Sequence, residues 1–124
     1  MSVWLQKAID CLPELRKEYK LNELTIYTTF SEILHATVEA HKTNDEGRLR
    51  KFYDFAAWCF KQKDKSLRNA AGVSFYEHLG DRKETLDAIP KWIEKDIYKD
   101  VRALLEISLN ETQLKQLDEH SYRI

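Results

Sequence analysis

Residues 49–60 read LRKFYDFAAWCF, and this segment has the clearest helical pattern in the chain. Its apolar side chains recur every three or four residues, as they do along one face of an α-helix. They are Leu49, Phe52, Tyr53, Ala56, Cys59 and Phe60. Phe55 and Trp58 widen this face, which predicts a helix that is buried on two sides. Asn44 precedes the segment and is a suitable N-cap.

The same apolar spacing continues on both sides of this helix. It predicts further helices over residues 2–19, 22–41, 66–80, 82–89 and 92–109, and a last short one after Asn110. Pro13 predicts a kink in the first of these helices, or its division into two short ones. Gly80 is a suitable left-handed C-cap, and Asn110 with Gln113 resembles a capping box.

One segment of this pattern is ambiguous. Residues 24–30 read LTIYTTF, and β-branched and aromatic residues of this kind also favour a strand. A single strand would have no partner elsewhere in the chain, so we assign the segment to a helix. Three Gly and two Pro are too few for the turns of an all-β domain. The sequence therefore predicts an all-α fold. We expect residues 1–124 to form a single domain, an irregular bundle of about six to seven helices. HEAT-like helix pairs are one arrangement that fits this pattern.

Composition and charge restrict the functional class. The 124 residues include 20 Lys plus Arg and 21 Asp plus Glu, so the formal net charge is -1. A nucleic-acid binder would be expected to carry a strongly basic field instead. Cys11 and Cys59 are too few for a disulfide framework and suggest free thiols in a reducing compartment. The chain has no apolar run long enough to span a membrane and no signal-peptide pattern, so we expect a cytoplasmic protein.

Two groups of side chains could carry chemistry. Glu32, His35 and Glu39 follow the Glu-x-x-His spacing of di-metal helix bundles, but the chain has no second Glu-x-x-His motif. Ser74 and His78 share a helix face, yet no Gly-rich turn is available to form an oxyanion hole, and a core histidine is the simpler interpretation of His78. We therefore expect no enzymatic activity, no cofactor and no small-molecule substrate.

Binding to another protein is the remaining class of function. Trp92, Tyr98 and Tyr122 lie in polar surroundings, where aromatic residues often anchor interfaces, although Trp92 fits a core position equally well. Between residues 103 and 122 there are four acidic residues and one Lys. This cluster suits a cationic partner, but a solvated helix face explains the same composition.

A longer motif in the chain is similar to one found in a known group of proteins. Residues 68–79 read RNAAGVSFYEHL, and residues 52–59 before them read FYDFAAWC. Together they resemble a family of small bacterial helical proteins in which an aromatic-rich helix precedes a segment of the form R-N-A-v-x-V-S-F-x-E-x-L. Several members look like immunity proteins of polymorphic or contact-dependent inhibition toxin systems. The resemblance covers residues 48–80, and Gly72 stands where the family usually has a β-branched residue.

The resemblance implies a partner rather than a reaction. We expect a cytoplasmic immunity protein that binds one cognate toxin domain, commonly a nuclease, in a 1:1 complex, with no role for nucleic acid or membrane. The candidate partner-binding residues are Glu111, Asp118, Glu119, Tyr122 and Trp92. The alternatives are a helical adaptor or regulatory subunit of another cytosolic protein, and a small metal protein that uses Glu32, His35 and Glu39.

Overall fold

The computed structural model describes residues 2–122, which form nine α-helices and one 3-10 helix. In chain order these are α1 (Val3–Cys11), α2 (Leu15–Lys20), α3 (Ile26–Lys42), α4 (Glu46–Phe60), α5 (Lys65–Ser74), the 3-10 helix (Tyr76–Asp81), α6 (Lys83–Leu86), α7 (Ile89–Trp92), α8 (Lys95–Leu105) and α9 (Glu111–Ser121). The residues described contain no strand, and six of the α-helices have seven or more residues. The all-α prediction is confirmed. In this part of the chain no helix is both long and apolar enough to cross a membrane.

Local sequence signals set several helix ends where they were predicted. The chain breaks at Pro13 into α1 and α2. The ambiguous LTIYTTF segment is helical from Ile26 onward, where Thr25 and Thr28 form a capping box, so α3 begins four residues after the predicted start at residue 22. Asn110 and Gln113 form the predicted capping box of α9. Such boxes satisfy backbone N–H groups that would otherwise lack partners in the first helical turn.

The core is built around α4, which packs against α1, α3 and α5. All six residues of its predicted apolar face are buried, and Phe55 is buried as well. The ring of Phe30 on α3 lies 5.3 Å from that of Phe55 and 5.9 Å from that of Phe75. Aromatic pairs at this separation add to the stability that the buried apolar surface provides. Buried residues from Leu5 to Leu117 form one hydrophobic cluster.

The helix predicted over residues 66–80 is interrupted. α5 ends at Ser74, and a 3-10 helix continues the chain from Tyr76. In a 3-10 helix, residues three apart lie on the same face, and this places Tyr76 and Leu79 together in the core. The predicted left-handed cap at Gly80 is wrong, since the described glycines have no positive φ. Asn22 and Asn44 have positive φ values instead, and the N-cap of α4 is Asp45 rather than Asn44.

The long helix predicted over residues 92–109 is also wrong at both ends. Pro90 lies in the first turn of α7, a position that suits its missing N–H, rather than ending the preceding helix. Ile93 then adopts an extended conformation that buries its side chain, and α8 begins two residues later. α8 ends at Leu105, and residues 106–108 form an exposed turn in place of the last helical turn that was predicted.

The motif over residues 68–79 joins α5 to its neighbours. Arg68 donates from Nη1 to the carbonyl oxygen of Phe60 at the end of α4 (2.8 Å), and its guanidinium lies 4.1 Å from the Phe60 ring centroid. Asn69 donates to the hydroxyl of Tyr27 on α3 (3.0 Å). Gly72 packs closely against Leu104 of α8. The motif therefore stabilises the fold through contacts with three other helices.

Candidate functional site

Four of the five candidate partner-binding residues lie on α9 or directly after it. Glu111 and Asp118 line a surface groove of about 700 Å³ between α8 and α9, which we call the α8–α9 groove. Arg102, Glu106, Leu109, Asn110, Leu114 and Lys115 complete its lining. Glu119 is exposed on the same helix, and Tyr122 follows the helix with 45% of its surface exposed. Whether these residues bind a partner stays a prediction.

Asp118 is already engaged within the protein. Arg102 donates to both of its carboxylate oxygens, from Nε and from Nη2, each at 2.8 Å. The hydroxyl of Tyr98 donates to Oδ1 at 2.7 Å. The hydrogen bonds from Arg102 are the main cause of the lowered pKa of Asp118. We call this set of contacts the Asp118 network, and its first effect is to hold α9 against α8.

Tyr98 is not the surface aromatic that the sequence suggested. It is fully buried, and burial followed by its hydrogen bond to Asp118 raises its pKa. The ring of Tyr122 rests edge-on against it at 5.5 Å. Tyr98 appeared to be in polar surroundings only because its neighbours in sequence are charged. On α8, however, it shares the inner face with Ile97, Val101 and Leu105.

Trp92 ends α7 and packs against α4. Its indole stacks on the ring of Tyr53, with centroids 5.3 Å apart and an interplanar angle of 13°. The cationic groups of Arg50 and Lys91 lie 5.5 Å and 5.4 Å from its centroid. The fold thus uses Trp92 for internal packing, although the side chain remains partly exposed.

Sequence reasoning missed Ile107. It lies between α8 and α9, and 72% of its surface is exposed, the largest value among the exposed large hydrophobic residues described. It lies in a turn after α8, within the span that was predicted to be one long helix. Glu106 and Ser108 beside it are exposed as well.

The candidate metal and catalytic residues do not converge. Glu32, His35 and Glu39 are exposed on α3, and Glu39 pairs with Lys42 at 3.5 Å. Residues 2–122 contain no group of three side chains placed to hold a metal ion. His78 is not a core histidine, because its side chain is 43% exposed and Nδ1 lies 2.8 Å from Asp81.

Cys59 is buried, and Cys11 is half-buried. Burial raises the pKa of Cys11 to about 11 and that of Cys59 to about 12. The Sγ atom of Cys11 donates to the carbonyl oxygen of Lys51 at 3.4 Å. Since the thiolate is the nucleophilic form, both groups are weak nucleophiles at neutral pH.

The family model of a domain of unknown function, DUF7674, matches residues 5–109 of the chain. This chain belongs to that family. No curated protein and no solved structure matches it. The matched segment begins within α1, includes α2 to α8 and the whole 68–79 motif, and ends before Glu111, where α9 begins. Four of the five candidate partner-binding residues therefore lie outside the matched residues.

Proposed function

We propose that this protein is a non-catalytic immunity protein that binds and neutralises a cognate bacterial toxin domain, a nuclease, in the cytoplasm. The motif over residues 68–79 and the aromatic helix before it support the proposal through their resemblance to such proteins. The side chains of the motif make internal contacts, as those of a structural scaffold do. The complex is 1:1 and needs no cofactor.

The observation that carries the proposal is the exposure of Ile107, a large apolar side chain with exposed carboxylates before and after it in sequence. Glu106 directly precedes it, and Glu111 and Glu119 are exposed on α9, four and twelve residues further along the chain. Exposed apolar side chains accompanied by polar ones are common in protein interfaces. The carboxylates complement the basic cleft with which a nuclease holds its substrate.

The charge that remains on this surface is negative. Arg102 pairs with Asp118 and with Glu106, at 2.8 Å and 2.9 Å, so its positive charge is compensated within the protein. Glu111 and Glu119 then face solvent with Lys115 as the nearest opposing charge on α9. Complementary potential of this kind raises the association rate with a cationic partner and weakens as salt increases.

Three of the four histidines contact groups of their own fold. Nε2 of His41 lies 2.8 Å from the Tyr53 hydroxyl, and His78 lies at the same distance from Asp81. His120 lies 2.7 Å from the carbonyl oxygen of Gln116. Each of these three rings contacts a group of its own fold, in keeping with a structural part for all three.

The test begins with affinity purification from the native bacterium, using this chain as bait, and with mass spectrometry of the bound proteins. We expect the C-terminal domain of a large secreted protein. That domain, expressed alone, should stop the growth of a bacterial host, and co-expression of this chain should restore growth. Light scattering should then show a 1:1 complex.

Two results would contradict the proposal. A stoichiometric complex with a housekeeping protein, with no toxin domain recovered, would favour the adaptor alternative. A toxin domain that still kills its host when this chain is co-expressed and bound would show that binding does not neutralise it.

A further inference from the structure

One guanidinium group connects the turn after α8 to helix α9. Arg102 donates from Nη1 to Oε1 of Glu106 at 2.9 Å, and from Nε and Nη2 to the two oxygens of Asp118 at 2.8 Å each. Glu106 directly precedes the exposed Ile107 in sequence. Asp118 directly precedes Glu119, which is exposed as well. A single side chain therefore joins two parts of the chain that lie twelve residues apart in sequence.

The geometry of these contacts requires an arginine. A guanidinium carries its donors in a fixed planar fork, so it can bind one carboxylate through two parallel bonds and still donate to another. The side chains of Arg102 and Asp118 are 33% and 30% exposed, so water competes less for their bonds than at a fully exposed ion pair. The buried Tyr98 donates to the same carboxylate from the inner side of α8. These bonds fix α9 more firmly than an exposed ion pair would.

The segment that Arg102 bridges has few other anchors in the core. Residues 106–110 connect α8 to α9, and Leu109 is the one buried residue among them. An exposed connection with so little buried apolar surface opens easily unless polar contacts restrain it. Glu111, at the start of α9, lines the same α8–α9 groove as Arg102. The contacts of Arg102 thus lie where they can restrain Ile107 and Glu111 together.

We propose that Arg102 is a positioning residue for the binding of the toxin domain. It acts through the two carboxylates that it binds, and it fixes Ile107 relative to Glu111 and Glu119 before the partner arrives. Side chains that are already ordered lose less conformational entropy on binding, so the complex is tighter and dissociates more slowly. The inference rests on the proposed function, since it concerns how the toxin domain is held.

Charge and position predict opposite effects when Arg102 is replaced. Arg102→Gln removes one positive charge and leaves Glu106 and Asp118 without their cationic partner. If charge alone attracted a cationic toxin domain, the variant would associate faster and bind more tightly. If Arg102 positions the binding residues, the variant binds more weakly because its complex dissociates faster.

The experiment uses the full chain and the toxin domain recovered by the affinity purification. Arg68→Lys is the matched control, because Arg68 also donates to two acceptors within the fold, the Phe60 carbonyl oxygen and Asp100. Hydrogen exchange on the free proteins measures the protection of residues 106–122 relative to that of α4. Surface plasmon resonance measures the association and dissociation rates with the toxin domain.

We expect Arg102→Gln to lose protection over residues 106–122 while α4 keeps it, and to dissociate from the toxin domain at least tenfold faster. Arg68→Lys should lower the overall stability and leave the dissociation rate unchanged. Tighter binding by Arg102→Gln, or an equal loss of protection in α4, would overturn the inference. Unchanged protection of residues 106–122 would overturn it whatever the partner, because exchange is measured on the free protein. If the unmodified protein bound no toxin domain, the proposed function itself would be wrong, so the two failures are distinguishable.

Discussion

The indole of Trp92 lies parallel to the ring of Tyr53, at 5.3 Å between centroids and 13° between planes. Tyr53 in turn contacts His41 through a 2.8 Å hydrogen bond and packs edge-on against Phe75. Trp92 thereby connects the short helix α7 to the centre of the core. This position gives Trp92 a structural role in the packing of the core.

The first prediction follows from this stacking. Trp92→Ala should lower the free energy of unfolding by about 2–3 kcal/mol. The substitution removes a large, partly buried aromatic side chain together with its stacking contact with Tyr53. Tyr122→Ala, which removes an exposed ring with one edge contact, should cost less than about 1 kcal/mol. Urea denaturation measures both. Equal losses would show that the stack adds little.

Arg68 should stabilise the fold mainly through the shape of its guanidinium. Arg68→Lys keeps the charge near Asp100 but loses the planar contact with the Phe60 ring and the aligned bond to the Phe60 carbonyl oxygen. We expect Lys and Ala at this position to cost a similar amount, about 1–2 kcal/mol. If Arg68→Lys restored most of the stability lost in Arg68→Ala, the charge pair with Asp100 would be the larger contribution.

Two glycines should respond to alanine in opposite directions. A Cβ atom at Gly72 would lie 3.2 Å from Cδ1 of Leu104, a partly exposed side chain that can move aside. Gly72→Ala should therefore raise stability by up to about 1 kcal/mol through helix propensity. At Gly80 a Cβ atom would meet Ser108 Oγ at 2.9 Å and the buried Leu109 at 3.3 Å. Gly80→Ala should cost about 1–3 kcal/mol, and thermal unfolding compares the two variants.

His41 should make stability depend on pH near neutrality. Desolvation lowers the pKa of His41 below its usual value of 6.5, while Glu84 opposes and Lys91 reinforces this shift. The unfolded state therefore binds a proton more readily than the folded state. The contribution of His41 to the free energy of unfolding is therefore complete above pH 6.5, and it is lost as the pH falls below that value. His41→Gln cannot titrate, so the difference in stability between the two proteins should shrink from pH 7.5 to pH 5. A constant difference would show that His41 has no part in the pH dependence.

The acidic surface of α9 should determine affinity for the toxin domain, if the proposed function is correct. Glu111→Lys combined with Glu119→Lys should weaken binding at least tenfold at low salt, and the loss should shrink as salt screens the charges. Glu23→Lys with Glu32→Lys makes the same change in net charge on exposed residues elsewhere and serves as the control. Asp118 is unsuitable for this test because its charge is paired internally. Equal losses in both double variants would place the interface elsewhere.

The fold class could be predicted because its signals are local. The apolar face of α4, the break at Pro13 and the Asn110–Gln113 capping box each depend on residues within a few positions of one another. The ends of α5 and α8 could not be predicted in the same way. Ser74 ends a helix and Ile93 separates two others because distant partners bury Phe75, Tyr76 and Ile93.

The candidate site likewise has features that the local sequence determines and others that depend on tertiary contacts. The sequence established that four acidic residues and one tyrosine crowd the C-terminal part of the chain, since composition is a property of sequence alone. Only the tertiary structure decided that Asp118 is held by Arg102 and Tyr98, that Trp92 stacks in the core and that Ile107 is exposed. These outcomes depend on contacts between residues 16 to 39 positions apart. Such contacts exist only after the helices have packed, and no local pattern encodes which of two chemically similar side chains will find a partner.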